Sequence, residues 1–227
     1  MKKVRSIIFI ITLFFFTFTT YAYQINIGID GSLYYSPLKN YNDYITSYEF
    51  KKIGFGPEIG IHSRVFIREK IILQTYFSYF ITKSKRENEK VESELLGYHY
   101  VTCEYTFTAF SIMLDTIYYF NPKSVYRFYI GAGLGVFPIK ISSSYGYKVN
   151  KEDTELSNKT SDSDTHTCYG CNILGGMEYF INSKNTLSLN CELKIKFTDL
   201  KIKKENNEEI YAGFNGAGII IGISYYL

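Results

Sequence analysis

The final stretch of the chain, residues 213–227, constrains the fold more than any other. Read backwards in steps of two, Leu227, Tyr225, Ile223, Ile221, Ile219 and Ala217 share one face. Tyr226, Ser224, Gly222, Ile220, Gly218 and Gly216 share the other. One face is bulky and apolar; the other is mostly small or polar. This alternation is the mark of a strand with two different neighbours. It persists to the last residue, although chain ends are usually solvated and loosely held. A sheet that closes first strand on last requires such an ending, because closure leaves no open edge. The last core strand of a soluble sandwich or barrel shows the same pattern, so the rest of the chain decides.

The front end points to export. Met1-Lys2-Lys3-Val4-Arg5 precedes an apolar run over residues 7–18 and then Thr19-Thr20-Tyr21-Ala22. A basic start, a short apolar core and small residues before the cut make a secretory signal, with cleavage expected after Ala22. The run is shorter than the roughly 20 apolar residues a spanning helix needs. The expected organisation is a signal peptide over 1–22 and one β domain over 23–227. Losing Lys2, Lys3 and Arg5 reduces the chain's 25 basic residues to 22, matching its 22 acidic ones. The apparent basicity therefore belongs to the targeting segment, and nothing suggests nucleic acid. The composition, with 23 Tyr, 18 Phe, 17 Gly and no Trp, suits aromatic-girdled strands.

Eight alternating segments follow in order: 24–36, 52–67, 71–83, 100–120, 126–142, 167–181, 186–200 and 213–227. The connections alternate in length. Turns at 68–70, 121–125 and 182–185 are short. Those at 37–51, 84–98, 143–166 and 201–211 are long and polar, and the Ser/Thr/Asp/Lys-rich 143–166 reads as the most mobile. Outer-membrane barrels have this asymmetry, with short periplasmic turns, long external loops and an even strand number. Pro57 removes a ladder donor from the second strand, so a bulge or local break is expected there. The fourth segment is long enough to project beyond the membrane or to contain a bulge.

The faces decide which way the barrel is turned. One face of most strands is Ile, Leu, Phe, Val or Tyr. The other carries Asp30, Glu58, His62, Arg64, Gln74, Asp115, Arg127, Asn172, Glu178, Asn190, Glu192, Lys194 and Lys196 among many glycines. A narrow eight-stranded bore accommodates the glycine-and-charge face better than eight strands of large apolar groups. Lipid then covers the apolar face, and buried charges must pair. The candidate interior network is Asp30, Glu58, Arg64, Asp115, Arg127, Glu178, Glu192 and Lys194. The expected fold class is all-β: an eight-stranded antiparallel up-and-down transmembrane barrel.

The chain offers little conventional chemistry. Cys168 and Cys171 are three apart, so in a strand they point to opposite faces, and no second pair completes a zinc site. With Cys103 and Cys191 they read as structural thiols. The histidines are His62, His99 and His166; His62 and Ser63 are adjacent and face opposite ways, and no nucleophile elbow is present. No enzyme activity, cofactor or metal is expected.

The signal, the segment Phe110–Phe120 ending at Asn121-Pro122, the strand Phe128-Tyr129-Ile130-Gly131-Ala132-Gly133-Leu134-Gly135 and the closing Ile221-Gly222-Ile223-Ser224-Tyr225-Tyr226-Leu227 together resemble the small eight-stranded outer-membrane barrels of the OmpA, OmpX and opacity-protein type. The resemblance covers the whole mature chain. It implies export through the Sec route to the outer membrane of a diderm bacterium. It also implies recognition of the C-terminal strand by the barrel-assembly machinery, carried here by Ile221, Ile223, Tyr225 and Leu227. The family usually ends on Phe, and Leu227 departs from that. The peptidoglycan-binding domain of longer relatives is expected to be absent. The implied partners are outer-membrane lipid and an extracellular ligand held by the loops. The implied role is a non-enzymatic structural or surface one, with external loops for adhesion or ligand binding; the alternatives are a narrow pore for small solutes and a soluble lipocalin-like carrier of apolar ligands.

Overall fold

The computed structural model describes residues 24–37, 54–93, 97–148, 157–182, 184–199, 201–203, 209–211 and 214–227. The expected signal peptide and nearly all of the first long connection lie outside these residues. The described strands are β1 (Ile25–Tyr35), β2 (Phe55–Arg68), β3 (Ile71–Ser93), β4 (Gly97–Tyr119), β5 (Tyr126–Lys148), β6 (Ser157–Phe180), β7 (Leu187–Asp199), β8 (Lys201–Lys203), β9 (Glu209–Tyr211) and β10 (Gly216–Tyr226). Eight of them close a barrel in the order β1-β10-β7-β6-β5-β4-β3-β2, and β8 and β9 pair as a separate hairpin. Every ladder is antiparallel. The closure is β1 on β10, from Asn26 opposite Tyr226 to Tyr35 opposite Ala217. Leu227 N–H donates to Ile25 O at 2.9 Å, so the last residue is part of the seam.

Period-two sequence becomes a two-sided wall. β1 alternates strictly from Asn26, buried at 0% exposure, to Ile27 at 52%. On β10, Ile219, Ile221, Ile223, Tyr225 and Leu227 are all exposed, while Gly218, Ile220, Gly222, Ser224 and Tyr226 are buried. A one-residue slip would exchange these sets, so a lipid-covered face fixes the register. Outward aromatic pairs sit at both ends of the wall. Tyr118 lies 5.5 Å from Phe120 and Tyr126 lies 4.9 Å from Tyr179 at the short-turn end. Tyr35 lies 4.7 Å from Phe55 at the other. Two such girdles bounding an apolar band are what a barrel in a bilayer presents. A soluble carrier would need the opposite arrangement, apolar inside and charged outside.

Two of the three tight turns are held by asparagines. Asn121 Nδ2–H donates to Tyr126 O at 2.5 Å, and its Oδ1 accepts from Phe128 N–H at 2.8 Å. Asn182 Oδ1 accepts from the N–H groups of Thr186 and Leu187. Asn185 takes φ of 54°, a left-handed conformation that Asn tolerates better than most residues.

Three expectations are corrected. Pro57 pairs with Leu33 without a register change, and the irregularity in β2 falls at Phe66/Arg68 instead. Hydrogen bonds from Phe66 N to Gln24 O and from Ser36 N to Gly54 O show that even-numbered β2 residues bond β1. The missing donor of Pro57 therefore faces β3, one position before that ladder begins at Glu58 opposite Phe80. The segments 84–98 and 143–166 are not simply loops. β3 and β4 stay paired to Ser93 opposite Gly97, and β5 and β6 to Tyr147 opposite Ser157. At 160–165 every residue is exposed, so the strand carries no alternation that period-two hydropathy could detect. The charged segment 201–211 likewise contains β8 and β9.

Candidate functional site

The bore is filled in three tiers. At the short-turn end, Phe66, Ile72, Ile117, Tyr119, Tyr129, Leu174, Phe180 and Tyr226 form one buried cluster. At the opposite end Tyr34, Tyr76, Phe80, Phe107, Met113, Phe137, Phe214 and their neighbours form another. Between and around them run the charged side chains. Lys196 Nζ donates to Glu58 Oε1 at 2.6 Å. Lys194 Nζ lies 3.2 Å from Glu192 Oε1 and 3.6 Å from Asp115 Oδ2. The Arg64 guanidinium donates to Gln74 Oε1 at 2.6 Å and to the hydroxyls of Tyr119 and Tyr129, and lies 3.7 Å from Glu192. The Gln74 Nε2 amide donates to Asp115 Oδ2 at 3.0 Å. Glu178 has hydroxyl donors on both oxygens: Tyr119 at 2.9 Å, Ser188 at 2.6 Å and Tyr226 at 2.6 and 2.7 Å. The low interior dielectric makes each of these bonds strong and each missing one costly.

Of the eight network candidates, Arg64, Asp115, Glu192 and Lys194 meet in ion pairs, Glu58 pairs with Lys196 from outside the set, and Glu178 joins through hydroxyls. Asp30 pairs with His62, a residue of the polar face outside the candidate set. Arg127 is different: it lies opposite Glu178 in register, but its guanidinium covers the Phe180 ring at 4.2 Å and the Tyr226 ring at 5.6 Å. Among the described residues it forms no ion pair. The set also lacked Lys196 and the tyrosine hydroxyls of residues 119, 129 and 226. Their signal was present: each falls on the inward phase of its strand.

Glycines set how the network reaches across strands. Gly28 lies between His62 on β2 and Ser224 on β10. A Cβ on Gly28 would stand 2.4 Å from His62 Cε1 and 2.6 Å from Ser224 Oγ. Its absence lets His62 Nε2 and Ser224 Oγ meet at 3.0 Å. Gly176 does the same between Tyr129 and Glu192, whose bond is 3.2 Å. On its other side, His62 Nδ1 lies 2.6 Å from Asp30 Oδ2. With Nδ1 donating to the carboxylate, neutral Nε2 accepts from the Ser224 hydroxyl, which accepts in turn from Asn190 Nδ2.

Acid, imidazole and hydroxyl in this order are the parts of a hydrolytic triad, and no sequence motif announces them. Ser224, however, is 1% exposed and faces the filled bore. The arrangement works as an internal hydrogen-bonded strut between the first, second and last barrel strands. Cys168 points into the bore and its thiol donates to Phe137 O at 3.3 Å, while Cys171 is exposed on the outer face, as strand geometry requires.

A second candidate lies outside the bilayer. The β1–β2 ladder stops at Tyr35 opposite Phe55 and the β6–β7 ladder at Tyr169 opposite Asp199. Strands β3–β6 continue together, with β4 and β5 paired to Tyr100 opposite Lys148. The result is a four-stranded sheet rising from one side of the barrel. Residues 160–165, Thr-Ser-Asp-Ser-Asp-Thr, are all exposed on it. Lys83 and Glu104 form an ion pair at 3.0 Å near its base, and the Lys83 ammonium holds the Glu104 carboxyl below the usual carboxylate range.

Comparison with curated proteins returns no match. Among solved structures, several outer-membrane proteins are similar to this chain. OprG from Pseudomonas aeruginosa is 12% identical, with 91% of this chain and 97% of that one aligned at a TM-score of 0.52. Neisserial surface protein A is 14% identical over 89% and 95% of the two chains, at a TM-score of 0.48. Ail, the attachment invasion locus protein of Yersinia pestis, is 12% identical over 90% and 97%, at 0.43. Residues 21–202 match the family described as outer membrane protein beta-barrel domain. With its closed ring of eight antiparallel strands, apolar outside and charged within, the chain belongs to that family and is an outer-membrane barrel.

Proposed function

We propose that this is a non-enzymatic surface protein, in which the barrel anchors the external sheet and the sheet contacts an extracellular partner. The observation that carries this reading is the continuation of β3–β6 beyond the ends of the neighbouring ladders, fastened by three consecutive ladders. Binding residues commonly sit on extensions of a rigid scaffold. The filled bore supports the same reading, since eight strands leave an interior wide enough only for side chains. The polar, partly acidic strand at 160–165 favours a hydrophilic ligand. In this reading residues 1–22 are removed on export through the Sec route; the family match begins beside that point, at residue 21. The outward row Ile221, Ile223, Tyr225 and Leu227 serves the barrel-assembly machinery, supported by its position at the closing seam.

The test shortens both external hairpins to tight turns below Glu104 and Ser142, leaving the barrel intact. Cells displaying the whole or the shortened protein are compared for adhesion to immobilised extracellular-matrix proteins and cultured cells. The whole protein alone should adhere. Equal adhesion by both forms would overturn the reading, and a stable single-channel current from the purified protein in planar bilayers would replace it with the pore.

A further inference from the structure

Above the barrel the external sheet has two free edges, and they differ. β3 beyond the β2–β3 ladder, which ends at Phe80, carries Lys83 and Lys85 and a register shift between Arg86 and Glu89. Lysines and bulges on an edge discourage a further strand. β6 beyond the β6–β7 ladder, which ends at Tyr169, has no such protection over 160–165. Those residues are small hydroxyls and two aspartates, all exposed, and their pairing with β5 is regular from Thr160 downward. Phe180 N–H donates to Val125 O on the β5 side, and Ile181 N–H to Leu187 O on the β7 side. Even-numbered β6 residues therefore bond β5, and Ser161, Ser163, Thr165 and Thr167 direct their main-chain groups to the free side.

β8 presents a matching edge. Lys201 pairs with Tyr211 in the register set by Lys196 opposite Gly216, five residues lower on each strand, so β8 and β9 continue the β7–β10 hairpin above the barrel. Tyr226 N–H donates to Thr186 O, which puts the hydrogen-bonded pairs of that hairpin at even-numbered β7 residues. Carried upward, the same phase joins Ile202 to Ile210 and turns the main-chain groups of Lys201 and Lys203 away from β9. Between barrel and hairpin the ladder is interrupted: Asn215 Oδ1 accepts from Thr198 N–H at 2.6 Å, and Phe214 is fully buried in the aromatic cluster of the bore. Among the described residues no ladder joins β8 to β6. Continuing the register of Tyr169 opposite Asp199 nevertheless brings Thr167 opposite Lys201 and Thr165 opposite Lys203. In that register all four residues offer N–H and C=O to the facing strand.

We propose that the β8–β9 hairpin docks along the free edge of β6, pairing Thr167 with Lys201 and Thr165 with Lys203. Docking extends the external sheet from four strands to six and satisfies main-chain groups that β6 otherwise leaves to water. Opposite charge favours the contact: residues 160–165 include Asp162 and Asp164 and no base, whereas β8 is Lys-Ile-Lys. A second copy of the β6 edge suits it less well, because antiparallel self-pairing about Ser163 sets aspartate opposite aspartate. The docked hairpin closes the edge to any other strand, so a partner that adds one there must first displace it. Docking of the hairpin does not depend on what the external sheet contacts.

The test follows amide hydrogen exchange by NMR in the isotopically labelled whole protein in detergent micelles. Thr165 and Thr167 should exchange about tenfold more slowly than Ser161, which lies past the last β8 residue in this register, as a docked population of about nine in ten requires. Lys203→Pro puts a ring where the donor toward β6 stood and leaves the Ile202–Ile210 pair intact. It should return Thr165 to the rate of Ser161 while the unheated gel shift of a folded barrel is kept. A second measurement uses disulfide formation after the four native cysteines are replaced by serine. His166→Cys with Ile202→Cys, opposite each other on one face in the docked register, should cross-link within one chain; Thr165→Cys with Ile202→Cys, on opposite faces, should not. Open-rate exchange at Thr165 and Thr167, protection that survives Lys203→Pro, or equal cross-linking of the two cysteine pairs overturns the proposal. Disulfide-linked dimers, or protection lost on dilution, overturn it in favour of a second copy.

Discussion

Replacing Lys196 by methionine isolates the strut that spans the closing seam. Lys196 on β7 reaches Glu58 on β2 at 2.6 Å, with β10 and β1 between them. Both side chains are 1% exposed. Methionine retains an unbranched apolar stem against Tyr34 and Phe214, whose rings the ammonium covers at 4.6 and 5.8 Å. It removes the charge and the donor. Glu58 Oε1 then loses its ion-pair partner, and Oε2 already lacks a hydrogen-bond partner among the described residues. Breaking a buried pair by removing one member costs about 3–5 kcal/mol, because the other charge stays buried. That is roughly a 100- to 4,000-fold change in the unfolding constant. Adding Glu58→Gln removes the stranded charge, so the double variant should recover most of the loss, with a coupling of about 3 kcal/mol. Equilibrium urea unfolding from lipid vesicles, followed by circular dichroism and by unheated gel mobility, measures all four members of the cycle. A Lys196→Met variant as stable as the parent, or a double variant no better than the single, refutes the strut.

Gly28→Val should cost about 2–4 kcal/mol, since its Cβ collides with His62 and Ser224 and breaks their bond, whereas Gly31→Val should unfold at or above the parent's urea midpoint. Leu134, 72% exposed on the outward face of β5, tests the lipid side: Leu134→Arg should destabilise the barrel in vesicles by about 2–4 kcal/mol, and no change would put that face in water. Lys83→Met should move the Glu104 carboxyl titration, read by NMR, upward toward the ordinary range. The sign follows from the depressed value: the pair's contribution is present above the unfolded carboxylate range and is lost as pH falls through the folded one. The parent should therefore lose a small increment on acidification that Lys83→Met lacks.

The barrel wall was legible because lipid outside and a narrow bore inside impose opposite demands on alternate residues. Ile219, Ile221 and Ile223 against Gly218, Gly222 and Ser224 carry both phase and register. The external sheet was not legible, because Ser142, Ser143 and Ser144 are all half-buried and their partners at 161–163 all exposed, so neither strand alternates. Alternation has no cause there, and the strands persist because the ladders below continue upward. The charged members of the bore could be named from phase alone, but their partnerships could not. Which side chains meet depends on register across three strands, as when Gly28 falls between His62 and Ser224. That information resides in pairings between residues far apart in sequence, such as His62 and Ser224, 162 positions apart.

Pairing by charge alone does not account for the bore. Asp30, Glu58, Asp115, Glu178 and Glu192 are buried there, while Arg64, Lys194 and Lys196 are the fully buried Lys and Arg side chains among the described residues. Arg127 is committed to the Phe180 face at the mouth. The remaining acids are served by other donors: Asp30 by His62, and Glu178 by the hydroxyls of Tyr119, Ser188 and Tyr226. Tyrosine suits this use, since its ring seals the aromatic tier while its hydroxyl reaches the carboxylate. Tyr119, Tyr129 and Tyr226 belong to the apolar cluster and bond the charged tier at once. The closure of the bore and the satisfaction of its charges are therefore one structure. A variant that opened a path by removing these rings would also strip donors from Glu178 and Glu192. Such a variant would lose stability before it gained conductance, which favours the proposed surface role over a pore.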